Sequence, residues 1–327
     1  MVRRCDPAGE DVDRCGTDRG NRVYFGRNGS MPINTPVPDG LLRFSPFVDA
    51  VLKGLGQIML QGNRWSGVFI LAGLWLGGWQ FGAAALLGAG IGTLMARLLR
   101  FRPTDVQAGL YGFSAALVGV VLVFHFKATW FVWALVVVGA ATAAMLQHLF
   151  IRRGLPGFTF PFVLVAWVLI PLLRVFTAPA SSAIAPLPTS NALALLSVGT
   201  NGFGQVIFQG HALSGVLFFL GVLVASPRAA LVGLLASFAG ACAAWCLHLP
   251  LDLILAGLFG FNAVLTCIAF AEQPHRPHSV VIAVVITLVL QFALVITGWL
   301  DPFGGALTFP FVAGSWLTLA FSRRGKK

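Results

Sequence analysis

Charge is what this sequence has least of. Only 10% of its 327 residues are Asp, Glu, Lys or Arg, where soluble domains carry about 25%. With 57% apolar residues, that shortage excludes an ordinary soluble enzyme and a disordered chain. Five cysteines are too few for a disulfide scaffold. Cys242 and Cys246, with His248 close by, are the one hint of a metal pair. No fourth ligand accompanies them, and small residues commonly pack membrane helices, so no metal or cofactor is expected. No acidic residue lies in the middle of a full-length apolar span, which argues against a proton- or sodium-coupled carrier. A Thr-Val-Gly-Tyr-Gly filter, a ring of charges and paired Asn-Pro-Ala boxes are all missing. So is any catalytic triad or metal-hydrolase motif, and the chain reads as a non-enzyme.

What is present is long apolar sequence, continuous rather than alternating. It reads as an all-α polytopic membrane protein and not as a barrel. Residues 1–44 hold thirteen of the thirty-three charges, seven Arg and six acids, among Gly, Asn and Pro. Such a stretch is expected to be a disordered cytoplasmic tail. It has no apolar core of the signal-peptide kind. Met31, just before the body, is an alternative start of translation. The pI near 10.5 reflects basic loops on one side of a membrane rather than nucleic-acid binding.

The body is duplicated. Leu55–Gly62 (LGQIMLQG) returns as Phe203–Gly210 (FGQVIFQG), and Ala108–Phe113 (AGLYGF) as Ala256–Phe261 (AGLFGF), both 148 residues later. Thr159–Val163 (TFPFV) returns as Thr308–Val312, offset 149, each with a Trp four residues beyond (Trp167, Trp316). Pro103-x-Asp105 matches Pro250-x-Asp252. The expected division is a first repeat over 45–175, a linker over 176–190, a second repeat over 191–322 and a basic tail over 323–327.

Each repeat shows six apolar segments, near 46–62, 65–82, 83–99, 106–126, 130–151 and 155–173, and near 192–209, 212–226, 228–247, 252–271, 278–299 and 304–321. The first of each is short and Gly-interrupted, and the first of all carries Asp49 and Lys53. It suits a re-entrant half-helix better than a span of about 20 residues. Loop charge agrees. With five spans per repeat, twelve basic residues (Arg64, Arg97, Arg100, Arg102, Arg152, Arg153, Arg228, Arg276, Arg323, Arg324, Lys326, Lys327) share one side against Lys127 and Arg174 on the other. With six spans the same residues divide six against eight and the positive-inside rule fails. The expectation is ten spans, two re-entrant half-helices, two inverted repeats and both termini cytoplasmic, in the cell's inner (plasma) membrane. In that plan the site lies near the midplane at the repeat interface.

The repeated motifs supply the candidates. Gln57 and Gln205 sit in the half-helices, where an amide offers donors and an acceptor without charge. They either line a pathway or tie the half-helix to a neighbour. Thr159 and Thr308 precede Phe-Pro-Phe and either cap their helices or present hydroxyls to a pathway. Phe113 and Phe261 follow the repeated glycines, with Leu117 and Leu265 one turn later; Phe208 lies one turn beyond Gln205, and Leu60 occupies its place in the first repeat. Asp105 and Asp252 read as helix caps. His125, His148, His211, His248, His275 and His278 do not recur at matched positions, which argues against a His-lined ammonia pore. What remains is a small, uncharged, polar permeant held between flat apolar walls.

These motifs resemble the urea transporter family over roughly 45–322: Gly56–Gln61, Gly109–Phe113 with Leu117–Gly119, Phe158–Phe162, and their second copies Gly204–Gln209, Gly257–Asn262 and Leu307–Phe311. The resemblance implies passive, channel-like passage of urea and a homotrimer in membrane lipid with one pore per subunit. It implies Gln57 and Gln205 at the two ends of a filter, Thr159 and Thr308 lining its middle, Phe113, Phe208 and Phe261 as slot walls, and Leu117 and Leu265 narrowing the centre. Three departures bear on selectivity. Leu60 stands where the family usually has Phe, Ser114 stands where the second repeat has Asn262, and the family's Asn-Pro after the first motif is absent from both copies. Leu60 motivates an alternative permeant of the same kind: a short amide, ammonia or water.

Overall fold

The computed structural model describes residues 45–180, 192–271 and 277–324. The 1–44 segment with Met31, most of the linker, and Cys5, Cys15, His275, Arg276, Lys326 and Lys327 lie outside the described residues. Those described are almost wholly helical. The first half is α1 (Pro46–Gln57), α2 (Arg64–Gly77), α3 (Trp79–Leu98), α4 (Pro103–Gln107), α5 (Phe113–His125), α6 (Trp130–Arg152) and α7 (Phe160–Phe176). The second is α8 (Ala192–Gln205), α9 (Ala212–Ala225), α10 (Pro227–Cys246), α11 (Leu251–Leu255), α12 (Phe261–Phe270), α13 (Pro277–Thr297) and α14 (Phe309–Arg324). The second half thus repeats the element order of the first.

Among the described residues four helices, α3, α6, α10 and α13, are long and apolar enough to cross a membrane. Their outer faces carry bare aliphatic side chains: on α13, Val281, Val289 and Ile296 are each more than 60% exposed. Water does not favour such a surface, and hydrocarbon does. Five shorter apolar helices of 10–17 residues, within α5, α7, α9, α12 and α14, accompany them. The chain is a polytopic membrane protein.

The fourth apolar segment of each half, continuous by composition, is broken in two. Gly109 and Gly257 adopt φ of +76° and +83°, which interrupt α4–α5 and α11–α12. Only glycine takes that backbone at little cost. Each also lies against the backbone of the half's first helix, at Lys53–Gly54 and at Asn201–Gly202, with no room for a Cβ. The breaks are therefore docking points for α1 and α8. The capping expectation for Asp105 and Asp252 holds only in part. Both lie in the first turn of their short helices, where a negative charge suits the helix dipole, but the cap positions are Arg102 and Pro250. The proline of each Pro-x-Asp either opens its helix or caps it, which leaves the acid inside.

α1 begins with Ser45 accepting from the Val48 N–H (3.3 Å) and Pro46 at its first position. It ends as Leu60 turns to φ +59°, and Phe208 ends α8 with the same φ. α3 packs on α5, and α10 on α12, with glycines at the close approaches: Gly88 and Gly92 against Ala115, Gly119 against Ala84 and Gly233 against Ile268. The halves meet mainly along α2 and α9. There the Ser66 hydroxyl donates to the Gly221 carbonyl (2.6 Å) and the Ser214 hydroxyl to the Gly73 carbonyl (2.7 Å). Each bond is the other with the halves exchanged. The indole N–H groups repeat the pattern, Trp167 donating to Gly305 (3.1 Å) and Trp316 to Pro156 (2.7 Å). Such reciprocity marks an isologous contact. One apolar core runs through both halves, from Leu55 and Phe113 to Leu265 and Phe311.

Candidate functional site at the seam

The seam has a polar centre. α7 and α14 start in the same way: a non-glycine residue in the left-handed region (Phe158, φ +45°; Leu307, φ +48°), then Thr, then Phe-Pro-Phe. The Thr159 and Thr308 carbonyls accept the first helical bonds, from Val163 (3.1 Å) and Val312 (3.2 Å). Both threonines therefore hold N-cap positions, where a hydroxyl ordinarily accepts from the second or third helical N–H. The Thr159 hydroxyl makes no such bond. It meets the Thr308 hydroxyl instead, Oγ1 to Oγ1 at 2.7 Å, with both residues buried. Two residues 149 apart in sequence thus form one polar pair in an apolar interior.

Aromatic residues flank both threonines in sequence, and their rings meet across the seam. Phe158 lies edge-on to Phe311 (centroids 5.2 Å apart), and Phe160 adjoins Phe309 (6.2 Å). Trp316 packs on Phe160 (4.9 Å) and Trp167 on Phe309 (5.2 Å), again reciprocally. The indole bonds across the seam hold these rings in place. Phe208, half-buried, contacts Phe124 (5.2 Å) and Phe162 (6.3 Å). Phe124 gave no sequence signal, because no aromatic residue repeats it.

Gln57 ends α1 and is buried. Its Nε2 donates to the Ala108 carbonyl (3.1 Å) at the α4–α5 break, while its Oε1 is buried without a partner. The tie to a neighbouring helix and an open acceptor are thus both present. An orphan acceptor in a buried site is costly unless something donates to it. Gln205 ends α8 and is half-buried. Phe113 and Phe261 are the first residues of α5 and α12, the former buried and the latter half-buried. Neither makes a ring–ring contact among the described residues. Leu117 and Leu265 lie one turn on and are fully buried, and Leu60 is buried at the end of α1.

Asn262, the residue after Phe261, has a role its sequence position did not disclose. Its Nδ2 donates to the Leu307 carbonyl and its Oδ1 accepts from the Phe311 N–H, both at 3.2 Å. Ser114, its counterpart, is buried and its Oγ has no partner. His148 is occupied elsewhere: it stacks on Phe101 at 3.5 Å and meets the Tyr111 hydroxyl at 3.2 Å. Among the described residues no three of His, Cys, Asp and Glu come together as a metal site would require.

A profile of the urea transporter family matches residues 48–323. Urea transporter 1 of Rattus norvegicus is 30% identical over 239 residues, and that of Ovis aries 31% over 240. Each match covers 68% of this chain and 62% of the relative, so the chain spans less than two thirds of those relatives' length.

Proposed function

The chain belongs to the urea transporter family, and from that premise we propose that it passes urea down its gradient through a slot at the seam. The observation that carries this reading is the buried Thr159–Thr308 pair at 2.7 Å, set among aromatic rings. One hydroxyl donates to the other, and either can be the donor. The pair therefore has one O–H and several lone pairs left, and can turn them to either side. Urea is flat and neutral, with four N–H donors and one carbonyl. It can donate to the lone pairs and accept the spare O–H. Ions would have to leave their hydration behind and find no countercharge, which excludes them.

In this reading Gln57 and Gln205 flank the threonines, and the open Oε1 of Gln57 takes a urea N–H. Phe113, Phe208 and Phe261 form the flat walls, and Leu117 and Leu265 set the width at the centre. Each hydrogen bond contributes only about 1 kcal/mol net, so urea is held weakly and released quickly.

We infer ten spans: α2, α3, the broken α4–α5, α6 and α7, with α9, α10, the broken α11–α12, α13 and α14. α1 and α8 re-enter. α1 has 12 residues, about 18 Å of helix, against a hydrocarbon core of about 30 Å. Arg64, at the start of α2, reaches the Asp49 carboxylate (Nε–Oδ1, 3.1 Å), which also holds Lys53 (2.8 Å). The chain's return toward its entry supports re-entry. The twelve-to-two charge division supports cytoplasmic termini, and the reciprocal seam bonds support repeats related by a twofold axis, inverted across the inner membrane. The assembly is a homotrimer with a pore in each subunit.

Leu60 supports a second reading. It has the φ of Phe208 but no ring, so the slot is open on that side and suits a short amide as well. The test is stopped-flow light scattering on proteoliposomes. Fast, saturable re-swelling in urea, indifferent to pH and sodium gradients and nearly absent with glycerol, supports the channel. Equal or faster re-swelling with acetamide favours the second reading, and no urea flux from well-folded trimers refutes the first.

A further inference from the structure

We propose that Asn262 is a positioning residue that caps α14 from the neighbouring helix and so releases the Thr308 hydroxyl for the pathway. The proposal rests on Thr308 lining that pathway. At the start of α14 the helical residues are Phe309, Pro310 and Phe311. Proline has no N–H, so the Phe311 N–H is the donor left for a cap side chain. Thr308, at the cap position, is the residue expected to accept from it. A threonine doing so would turn its hydroxyl toward its own helix and away from Thr159.

Asn262 takes that donor instead. Its Oδ1 accepts from Phe311 N and its Nδ2 donates to Leu307 O, both at 3.2 Å, so one amide brackets Thr308 from the residue before it to the third after it. The bracket spans Leu307 at φ +48°, a backbone that non-glycine residues resist and that Phe158 takes at +45° without a bracket. Asn262 is itself fully buried, and its backbone carbonyl accepts from the Thr266 hydroxyl one turn on, which pairs with Thr287 on α13 at 3.0 Å. The amide thus reaches the turn from α12, a helix outside it. The first half has the matching turn, Phe158-Thr-Phe-Pro-Phe162 against Leu307-Thr-Phe-Pro-Phe311, without the bracket, since Ser114 is too short and its Oγ is unpartnered. Thr159 meets Thr308 with no such bracket of its own, so the bracket lies on one side of the pair only. The middle of the pathway is therefore fixed from one side.

A double-mutant cycle tests this, with flux measured in proteoliposomes and normalised to folded protein. N262A frees the Phe311 N–H to recapture the Thr308 hydroxyl. Urea flux should fall about fivefold, the kinetic equivalent of one net hydrogen bond. In a T308V background there is no hydroxyl to recapture, and N262A should change flux by less than about twofold. Combined with Q205A, N262A should keep its full effect. A merely structural role for Asn262 predicts equal losses in all three backgrounds, and that result overturns the proposal. If N262A does not fold, N262S is read in the same way, since the first half already carries Ser at that place. Wild-type protein that passes acetamide but not urea refutes the proposed permeant alone, and the cycle is then read with acetamide.

Discussion

Replacing the seam threonines by valine separates stability from transport. Thr159→Val keeps the shape of the side chain and removes its hydroxyl. Capping does not suffer, because Thr159 Oγ1 makes no cap bond. What is lost is the 2.7 Å bond to Thr308, whose hydroxyl is then left in a buried, apolar setting. A made hydrogen bond contributes about 1 kcal/mol net, and an orphaned buried partner costs about 1–3 kcal/mol. Each single variant should therefore be destabilised by about 1–3 kcal/mol. In the double variant both hydroxyls are gone and no orphan remains, so its stability should recover to within about 1 kcal/mol of wild type. Flux should behave in the opposite way. One missing hydroxyl raises the barrier by about 1 kcal/mol, roughly fivefold in rate, and two missing hydroxyls leave the middle of the slot without any polar partner. The double variant should thus be the slowest of the four proteins and more stable than either single variant. Thermal unfolding in detergent and stopped-flow urea flux, run on the same preparations, measure the two quantities. A double variant that conducts as well as wild type would refute a transport role for the pair.

Other substitutions probe the rest of the site. Leu60→Phe adds the ring that Phe208 supplies at the same φ, and should lower the acetamide-to-urea permeability ratio while urea flux persists; an unchanged ratio would show that Leu60 does not face the solute. Gln57→Leu removes both the tie to Ala108 and the open acceptor, so urea flux should fall about fivefold or more, and flux equal to wild type would remove Gln57 from the pathway. Ser66→Ala and Ser214→Ala each delete one bond across α2 and α9, and should each cost about 1 kcal/mol of stability, read as a lower unfolding temperature with little change in solute selectivity.

Much of the plan is legible in the chain before any coordinate is known. The scarcity of charge and the long apolar runs identify a membrane protein, and the offsets of 147–149 residues pair Gln57 with Gln205 and Thr159 with Thr308. The breaks at Gly109 and Gly257 are announced by the repeated Ala-Gly-Leu, although composition alone joins each broken pair into one segment. Phe124 and the capping arrangement at Asp105 are not legible. The first has no repeated partner, and the second depends on which residue opens a five-residue helix.

A sequence repeat establishes which positions are equivalent, because each copy carries the same local instructions for helix, break and cap. It does not say which element of one copy touches which of the other. That is set by how the two folded halves dock, through close approach of small residues and bonds such as Ser66 to Gly221. The tertiary structure alone decided that equivalent threonines bond to each other rather than each capping its own helix. It also decided that the Asn262 amide reaches from α12 to the start of α14.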